Sequence, residues 1–290
     1  MGSVSLVGKR SLLLLLILPF SCFLFSHTVP LLYGVGMSFH DWMGSFVGLE
    51  NYKALFRDDA FRSSLKFSFI YALSTTILMT FLGLFIGIFV SSLKSTQSFL
   101  KSILLIPWAI SLTAWGLLAR IALNPQFGVV NYSLLKLGFI QRGLQWLGDP
   151  SLARLSVILA KVYKDVWFSA LLFLAACQNI PQELYEEGKV DGATPWQALR
   201  YITIPLLRPA ILYIGVVLFL FSLQEFDLIF ALTGGGPGFA TEIASISIYR
   251  QGIRYGNFEY GIATATLWSV IVSIFVITVF APLQRRTIGR

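Results

Sequence analysis

Apolar residues in this chain fall in long unbroken blocks separated by polar connections, rather than at the spacing of an amphipathic helix or strand. Six blocks reach the roughly 20 residues that a helix needs to cross a bilayer. They cover about residues 12–38, 67–93, 103–123, 155–177, 210–232 and 261–283. The pattern predicts an all-α integral membrane protein: a single domain over 1–290 with six transmembrane helices. The first block comes after Lys9-Arg10 and is longer than the usual core of a signal peptide. No small-residue cleavage pattern lies beyond it, so it is expected to be retained.

The connections differ in character. Blocks two and three are joined by the short link 94–102, and blocks four and five by a charged stretch between Ile180 and Pro205. The other three links are longer and rich in Gly, Asn and aromatic residues. Six crossings put both termini on one side, together with the short link and the charged stretch. That side holds ten Lys/Arg residues: Lys9, Arg10, Lys94, Lys101, Lys189, Arg200, Arg208, Arg285, Arg286 and Arg290. The opposite loops are longer in total and hold nine: Lys53, Arg57, Arg62, Lys66, Lys136, Arg142, Arg154, Arg250 and Arg254. The modest excess places both termini in the cytoplasm under the positive-inside rule.

Composition supports the bilayer as solvent. Only 12% of the 290 residues are charged and 56% are hydrophobic, where a soluble domain carries about a quarter charged residues. The net charge of +8 is scattered over loops and ends without a nucleic-acid-binding signature, so membrane topology and headgroup contact explain it. Cys22 and Cys177 lie inside apolar blocks, and His27 and His40 are isolated. Neither pair suggests a metal site or a disulfide framework.

Within the charged stretch, Glu183, Glu186 and Glu187 fall near the start of a short predicted helix, where acidic groups complement the helix dipole. Gly192 suits a helix stop with positive φ. Thr194-Pro-Trp-Gln197 reads as a fresh helix start, with Thr as N-cap, Pro in the first position and Gln three residues after the cap. Pro205 and Pro209 punctuate this second helix before the fifth apolar block. The alternatives are an ordinary solvated loop or a helix–turn–helix knuckle that offers Leu184, Tyr185 and Trp196 to a partner groove.

The stretch resembles the coupling motif of ABC-importer permeases: Glu-Ala-Ala, three residues, Gly, nine residues, Ile, one residue, Leu-Pro. Glu186, Gly192, Ile202 and Pro205 occupy their positions with every spacing intact, whereas Glu187 and Gly188 replace the alanines and Ile204 the leucine. A glycine inside the short helix costs roughly 1 kcal/mol of propensity, so the helix is expected to depend on its partner for order. Three further segments resemble the carbohydrate-uptake branch: Gly48-Leu-Glu-Asn-Tyr52, Gly128-Val-Val-Asn131 and Phe226-Asp-Leu-Ile-Phe-Ala-Leu-Thr-Gly-Gly-Gly-Pro237. The tail Gln284-Arg-Arg-Thr-Ile-Gly-Arg290 lacks a Gly-rich extension, as in the F-type maltose-permease partner of a heterodimer.

The resemblance implies a transmembrane subunit of a bacterial inner-membrane sugar importer that forms half of the translocation pathway. It implies a second permease, a pair of cytoplasmic ATPases and an extracytoplasmic sugar-binding protein as partners, with lipid around them. Glu186, Glu187, Gly188, Asp191, Gly192 and Ala193 would contact an ATPase. ATP and Mg would reside on that partner, and this chain would carry no cofactor. Its own sequence has no P-loop pattern, no Ser/His/Asp grouping and no plausible catalytic pair, and Gly234-Gly-Gly-Pro237 reads as a tight turn.

Charged and amide side chains inside blocks four and five bear on the pathway: Lys161, Lys164 and Asp165, then Gln224, Glu225 and Asp227. An ionisable group at the bilayer centre costs on the order of 3 kcal/mol on insertion scales, so such groups face protein or water. Lys161 and Asp165 form an i,i+4 pair. Carboxylates and amides suit sugar hydroxyls, and the faces of Trp167, Phe226 and Phe230 suit the apolar side of a pyranose. One reading has these groups lining a cavity. The other has Lys161 snorkelling to the outer interface and Asp227 capping the fifth helix. A stand-alone secondary carrier or channel subunit that couples transport to an ion through the same charges is the alternative function, although no internal repeat is visible.

Overall fold

The computed structural model describes residues 9–93 and 96–280. Lys94, Arg285, Arg286 and Arg290, which bear on the orientation, and the tail 284–290 lie outside the described residues. The described chain is helical, with one isolated antiparallel bridge between His40 and Phe46. The helices are α1 (Lys9–Met37), α2 (Glu50–Arg57), α3 (Asp59–Ser92), α4 (Gln97–Ala109), α5 (Leu112–Ala122), α6 (Val129–Lys136), α7 (Pro150–Gln178), α8 (Gln182–Val190), α9 (Pro195–Ala198), α10 (Ile204–Leu223), α11 (Asp227–Leu232), α12 (Ala244–Tyr249) and α13 (Phe258–Phe275). Wider π-turns come after α9 (Leu199–Thr203), α12 (Arg250–Arg254) and α13 (Val276–Phe280).

Among the described residues four stretches are helical, long and apolar enough to cross a membrane: Ile17–Met37, Asp59–Ser92, Pro195–Leu223 and Phe258–Val279. The bent pair α4–α5 makes a fifth if it is one span. The 29-residue α7 also has the length, but it carries Lys161, Lys164 and Asp165 near its middle. Two of the apolar blocks are not single straight helices. The third breaks at Ile110-Ser111, where the chain bends by 82°. Pro107 removes one amide from the last turn of α4, and Ser111 starts α5 by accepting from the Ala114 amide at 3.2 Å. The fifth ends at Leu223, and residues 227–232 form the separate helix α11.

The chain divides into two units, Met1–Asp58 with Ile248–Val270, and Asp59–Ser247 with Ile271–Arg290. In the larger unit α3 packs along α7, and small residues set their separation. A β-carbon on Gly83 would lie 2.2 Å from Ser169 Oγ, and one on Gly87 would lie 2.9 Å from the Ala170 carbonyl oxygen. This Gly-x3-Gly pair therefore lets the two backbones touch, as small residues do between helices in lipid, where apolar burial alone gives little drive. The Ser169 hydroxyl donates across the same seam to the Met79 carbonyl at 2.9 Å. Helix α11 lies on α5 at a second close approach, with Gly116 against Ala231 and the Leu228 carbonyl. A core of Phe67, Tyr71, Val157, Leu228 and Ile229 holds α3, α7 and α11 together.

In the smaller unit the Gly48–Tyr52 motif closes a loop. Gly48 takes φ +58°. The Asn51 amide donates to the carbonyls of Ser38 and His40, both at 2.9 Å, and the Tyr52 hydroxyl pairs with that of Ser38 at 2.6 Å.

Candidate functional site

The charged stretch folds as two short helices around a tight turn. Helix α8 ends at Val190 with Asp191 as its C-cap, and Gly192 takes φ +79°, which glycine adopts without a β-carbon clash. Thr194 then forms a full capping box. Its Oγ1 accepts from the Gln197 amide at 3.3 Å, and the Gln197 side chain accepts from the Thr194 amide at 2.7 Å, with Pro195 in the first helical position. The two arms are tied by the Tyr185 hydroxyl to Thr203 Oγ1 at 2.9 Å and by the Ala193 amide donating to the Gly188 carbonyl at 2.8 Å.

Gly188 has a local reason to be small. A β-carbon there would sit 3.3 Å from Ile202 Cδ1 and 3.8 Å from Ala193 Cβ. The glycine that weakens α8 as a helix thus lets Ile202 pack over it, so part of the order expected from a partner comes from within the chain. No residue of α8 is buried, and Glu183, Glu186, Glu187 and Asp191 are all exposed. Val190 is 88% exposed and Trp196 69% exposed, so both remain available for contact, while Leu184 and Tyr185 are half-buried.

The charges of α7 and of the segment after α10 behave in the opposite way. Lys161, Lys164 and Glu225 are buried, at 4%, 3% and 3% exposure. Lys161 Nζ lies between Glu225 Oε2 at 2.5 Å and Asp165 Oδ2 at 2.8 Å. Lys164 Nζ donates to the Trp108 carbonyl at 2.7 Å and lies 3.7 Å from Asp165 Oδ1. Two cations and two anions thus form one neutral cluster, and Asp165 is its most accessible member. Gln224 and Asp227 are exposed and stand outside it.

Two members, Lys164 and Glu225, also serve broken helices. The last carbonyls of α4 have no amide ahead of them because the chain bends away at Ile110, and the Lys164 ammonium occupies one of them. Glu225 Oε1 accepts from the amides of Phe226 and Leu228, both at 3.2 Å, so Glu225 rather than Asp227 caps α11. Ser245 donates its hydroxyl to the Glu225 carbonyl. Aromatic faces flank the cluster: Trp108 stacks on Phe168 at 5.2 Å, and Trp115 on Tyr163 at 5.0 Å. Phe226 stacks on Phe230 at 5.0 Å. The Trp115 indole donates to the Ala160 carbonyl at 2.9 Å and ties α5 to α7.

Sequence reasoning found the Lys161–Asp165 pair from its spacing but missed Trp108 as a partner, because the acceptor is backbone and no side-chain pattern marks it. The Gly128–Asn131 motif proves to be a loop staple. Buried Asn131 donates to the Leu144 carbonyl at 3.0 Å and accepts from the Trp146 indole at 2.8 Å, and a β-carbon on Gly128 would meet the Asn124 carbonyl at 2.4 Å. No group of three or more His, Cys, Asp or Glu side chains among the described residues is arranged to hold a metal ion.

In comparison with known proteins, residues 79–290 match the family described as binding-protein-dependent transport system inner membrane component. The chain is 35% identical over 252 residues to the probable ABC transporter permease protein PH1215 of Pyrococcus horikoshii, covering 84% of this chain and 86% of that one. It is 34% identical over 236 residues to the trehalose/maltose transport system permease protein MalF of Thermococcus litoralis, covering 80% and 78%. A crystal structure of a bacterial ABC transporter involved in import of the acidic polysaccharide alginate matches with a TM-score of 0.86 at 23% identity, over 96% of this chain and 97% of that one. The bacterial alginate ABC transporter in complex with alginate pentasaccharide-bound periplasmic protein matches at 0.82 and 26%, over 98% and 97%. With its several helices of membrane-crossing length, this multi-pass membrane protein belongs to the binding-protein-dependent transport system inner membrane component family.

Proposed function

We propose that the chain is one of two transmembrane subunits of an ATP-driven sugar importer, with both termini in the cytoplasm and six crossings once α7 and the α4–α5 pair are each taken as a span. The carrying observation is the α8–α9 knuckle: a capped, internally tied pair of short helices that leaves its acidic and apolar side chains exposed. A groove on a cytoplasmic ATPase is the occupant that fits. Closure of two ATPases would drag the knuckle, and the Tyr185–Thr203 tie and the continuous 195–223 helix would carry the displacement into the membrane. ATP and Mg belong to that partner, and this chain forms half of a pathway rather than an active site. An extracytoplasmic binding protein would deliver the sugar, as the names of the relatives suggest.

The polar cluster and its aromatic flanks are the favoured pathway wall. Both lysines are already committed, Lys161 to two carboxylates and Lys164 to a carbonyl. What remains for a ligand is an acceptor edge at Asp165 and aromatic faces, which supports an uncharged, hydroxyl-rich sugar over an anionic one. The test is co-purification and then reconstitution. The chain should bring down an ATPase and a second permease, and sugar with its binding protein should stimulate ATP hydrolysis. Replacement of Gly192 or Glu186 should abolish that stimulation with assembly intact. Transport by this chain alone, driven by an ion gradient, would refute the reading in favour of a secondary carrier.

A further inference from the structure

Between the end of α1 and the start of α3 the chain exposes more large apolar surface than a hydrated loop has reason to carry. Trp42 is 76% exposed, Met43 69%, Phe46 73%, Leu49 59% and Phe56 58%. The backbone beneath them is closed on itself. Asp41 Oδ1 accepts from the amides of Met43 at 2.9 Å and Ser45 at 2.8 Å, the Asp41 amide donates to the Ser45 carbonyl at 2.9 Å, and the Val47 amide donates to the Phe39 carbonyl at 2.8 Å. Gly44 and Gly48 take positive φ to close the turn, and the Asn51 amide pins it to α2. A turn whose polar backbone is bonded internally while its tip is apolar has what a segment needs to enter a layer poor in water.

The position of the turn along the chain agrees. Helix α1 has 29 residues, about 43 Å at the rise of an α-helix, close to the 40–45 Å of a bilayer with its headgroups. The chain therefore leaves α1 at Met37 within the headgroup layer, and Trp42 comes at once. After α2 it enters α3 at Asp59, another helix of membrane-crossing length. On α2 exposed Arg57 places a cation beside the apolar residues, while exposed Lys53 pairs with Glu50 at 2.6 Å; aromatic and basic side chains together are found where proteins anchor at a membrane surface.

We infer that residues 39–57 form an interfacial anchor, with Trp42, Met43 and Phe46 inserted at the headgroup–acyl boundary of the leaflet where α1 ends. The anchor is independent of the sugar-import reading. The experiment uses the full chain in its complex, in phosphatidylglycerol–phosphatidylcholine nanodiscs, and isolates the Trp42 emission as the difference between the native protein and Trp42→Phe. Lipids brominated near the top of the acyl chain should remove most of that emission, and aqueous iodide should leave it intact. Emission quenched by iodide and untouched by brominated lipid overturns the anchor, as does protection from both quenchers, which would mark a face covered by protein. Should Trp42→Phe fail to assemble, the same readout on Phe46→Trp against the native protein reports the same depth with the same two outcomes.

Discussion

Glu225 and Glu187 carry the same carboxylate and meet opposite fates. Glu225 is 3% exposed, holds Lys161 at 2.5 Å and caps α11. Glu187 stands exposed on α8, and none of the ion pairs among the described residues involves it or its neighbours Glu183, Glu186 and Asp191. In the apolar interior every charge of the cluster is matched to another charge or to an orphaned backbone group, because an unmatched one would be expelled or neutralised. At the knuckle, water solvates the charges and leaves them available. The first region uses charge to hold broken helices together, and the second holds its shape by caps and a tie and leaves its charges exposed.

This contrast can be broken most sharply at Glu225. Glu225→Ala leaves Lys161 with Asp165 alone and strips the cap of α11; losing one partner of a buried pair costs about 3–5 kcal/mol. A large fall in melting temperature of the purified protein is expected. Lys161→Met with Glu225→Leu should recover the part due to the stranded lysine, because the pair is replaced by apolar volume, while the amides at the start of α11 stay uncapped. Next comes Lys164→Met, which leaves the Trp108 carbonyl without its donor; a hydrogen bond to a charged group is worth about 1.5–3 kcal/mol. The loss should appear as a smaller thermal shift, with faster hydrogen exchange confined to the α4–α5 bend.

Smaller effects belong to the knuckle. Thr194→Ala removes the capping box and should cost about 1 kcal/mol, read as local exchange in α9 with little change in global melting. Smallest for stability is Glu187→Gln, expected within about 0.5 kcal/mol as for other surface substitutions. It should nevertheless lower sugar-stimulated ATP hydrolysis in the reconstituted complex. Equal and large destabilisation by Glu187→Gln and Glu225→Ala would erase the distinction between the two regions.

Local chemistry carried far in one region and stopped short in the other. At the knuckle, Gly192, Thr194, Pro195 and Gln197 are neighbours in sequence, so turn, cap and helix start can be read from residue types and spacing. The surprises, the room that Gly188 makes for Ile202 and the tie of half-buried Tyr185 to Thr203, lie within the same short stretch. In the buried cluster the Lys161–Asp165 pair is given by helical periodicity, but Lys161 and Glu225 are 64 residues apart, and 56 residues separate Lys164 from the Trp108 carbonyl. Hydropathy also smooths over the breaks at Ile110-Ser111 and Gln224–Phe226, since apolar residues continue on both sides of each.

The sequence alone determined the solvent, the helical class and the design of the knuckle, because hydropathy, capping and glycine turns act over one or two helical turns. The tertiary structure alone decided which charges are matched, where the apolar blocks break, and that Glu225 rather than Asp227 caps α11. Those outcomes depend on which helices meet, and that is set by close approaches such as Gly83 and Gly87 against α7, which no window along the chain contains.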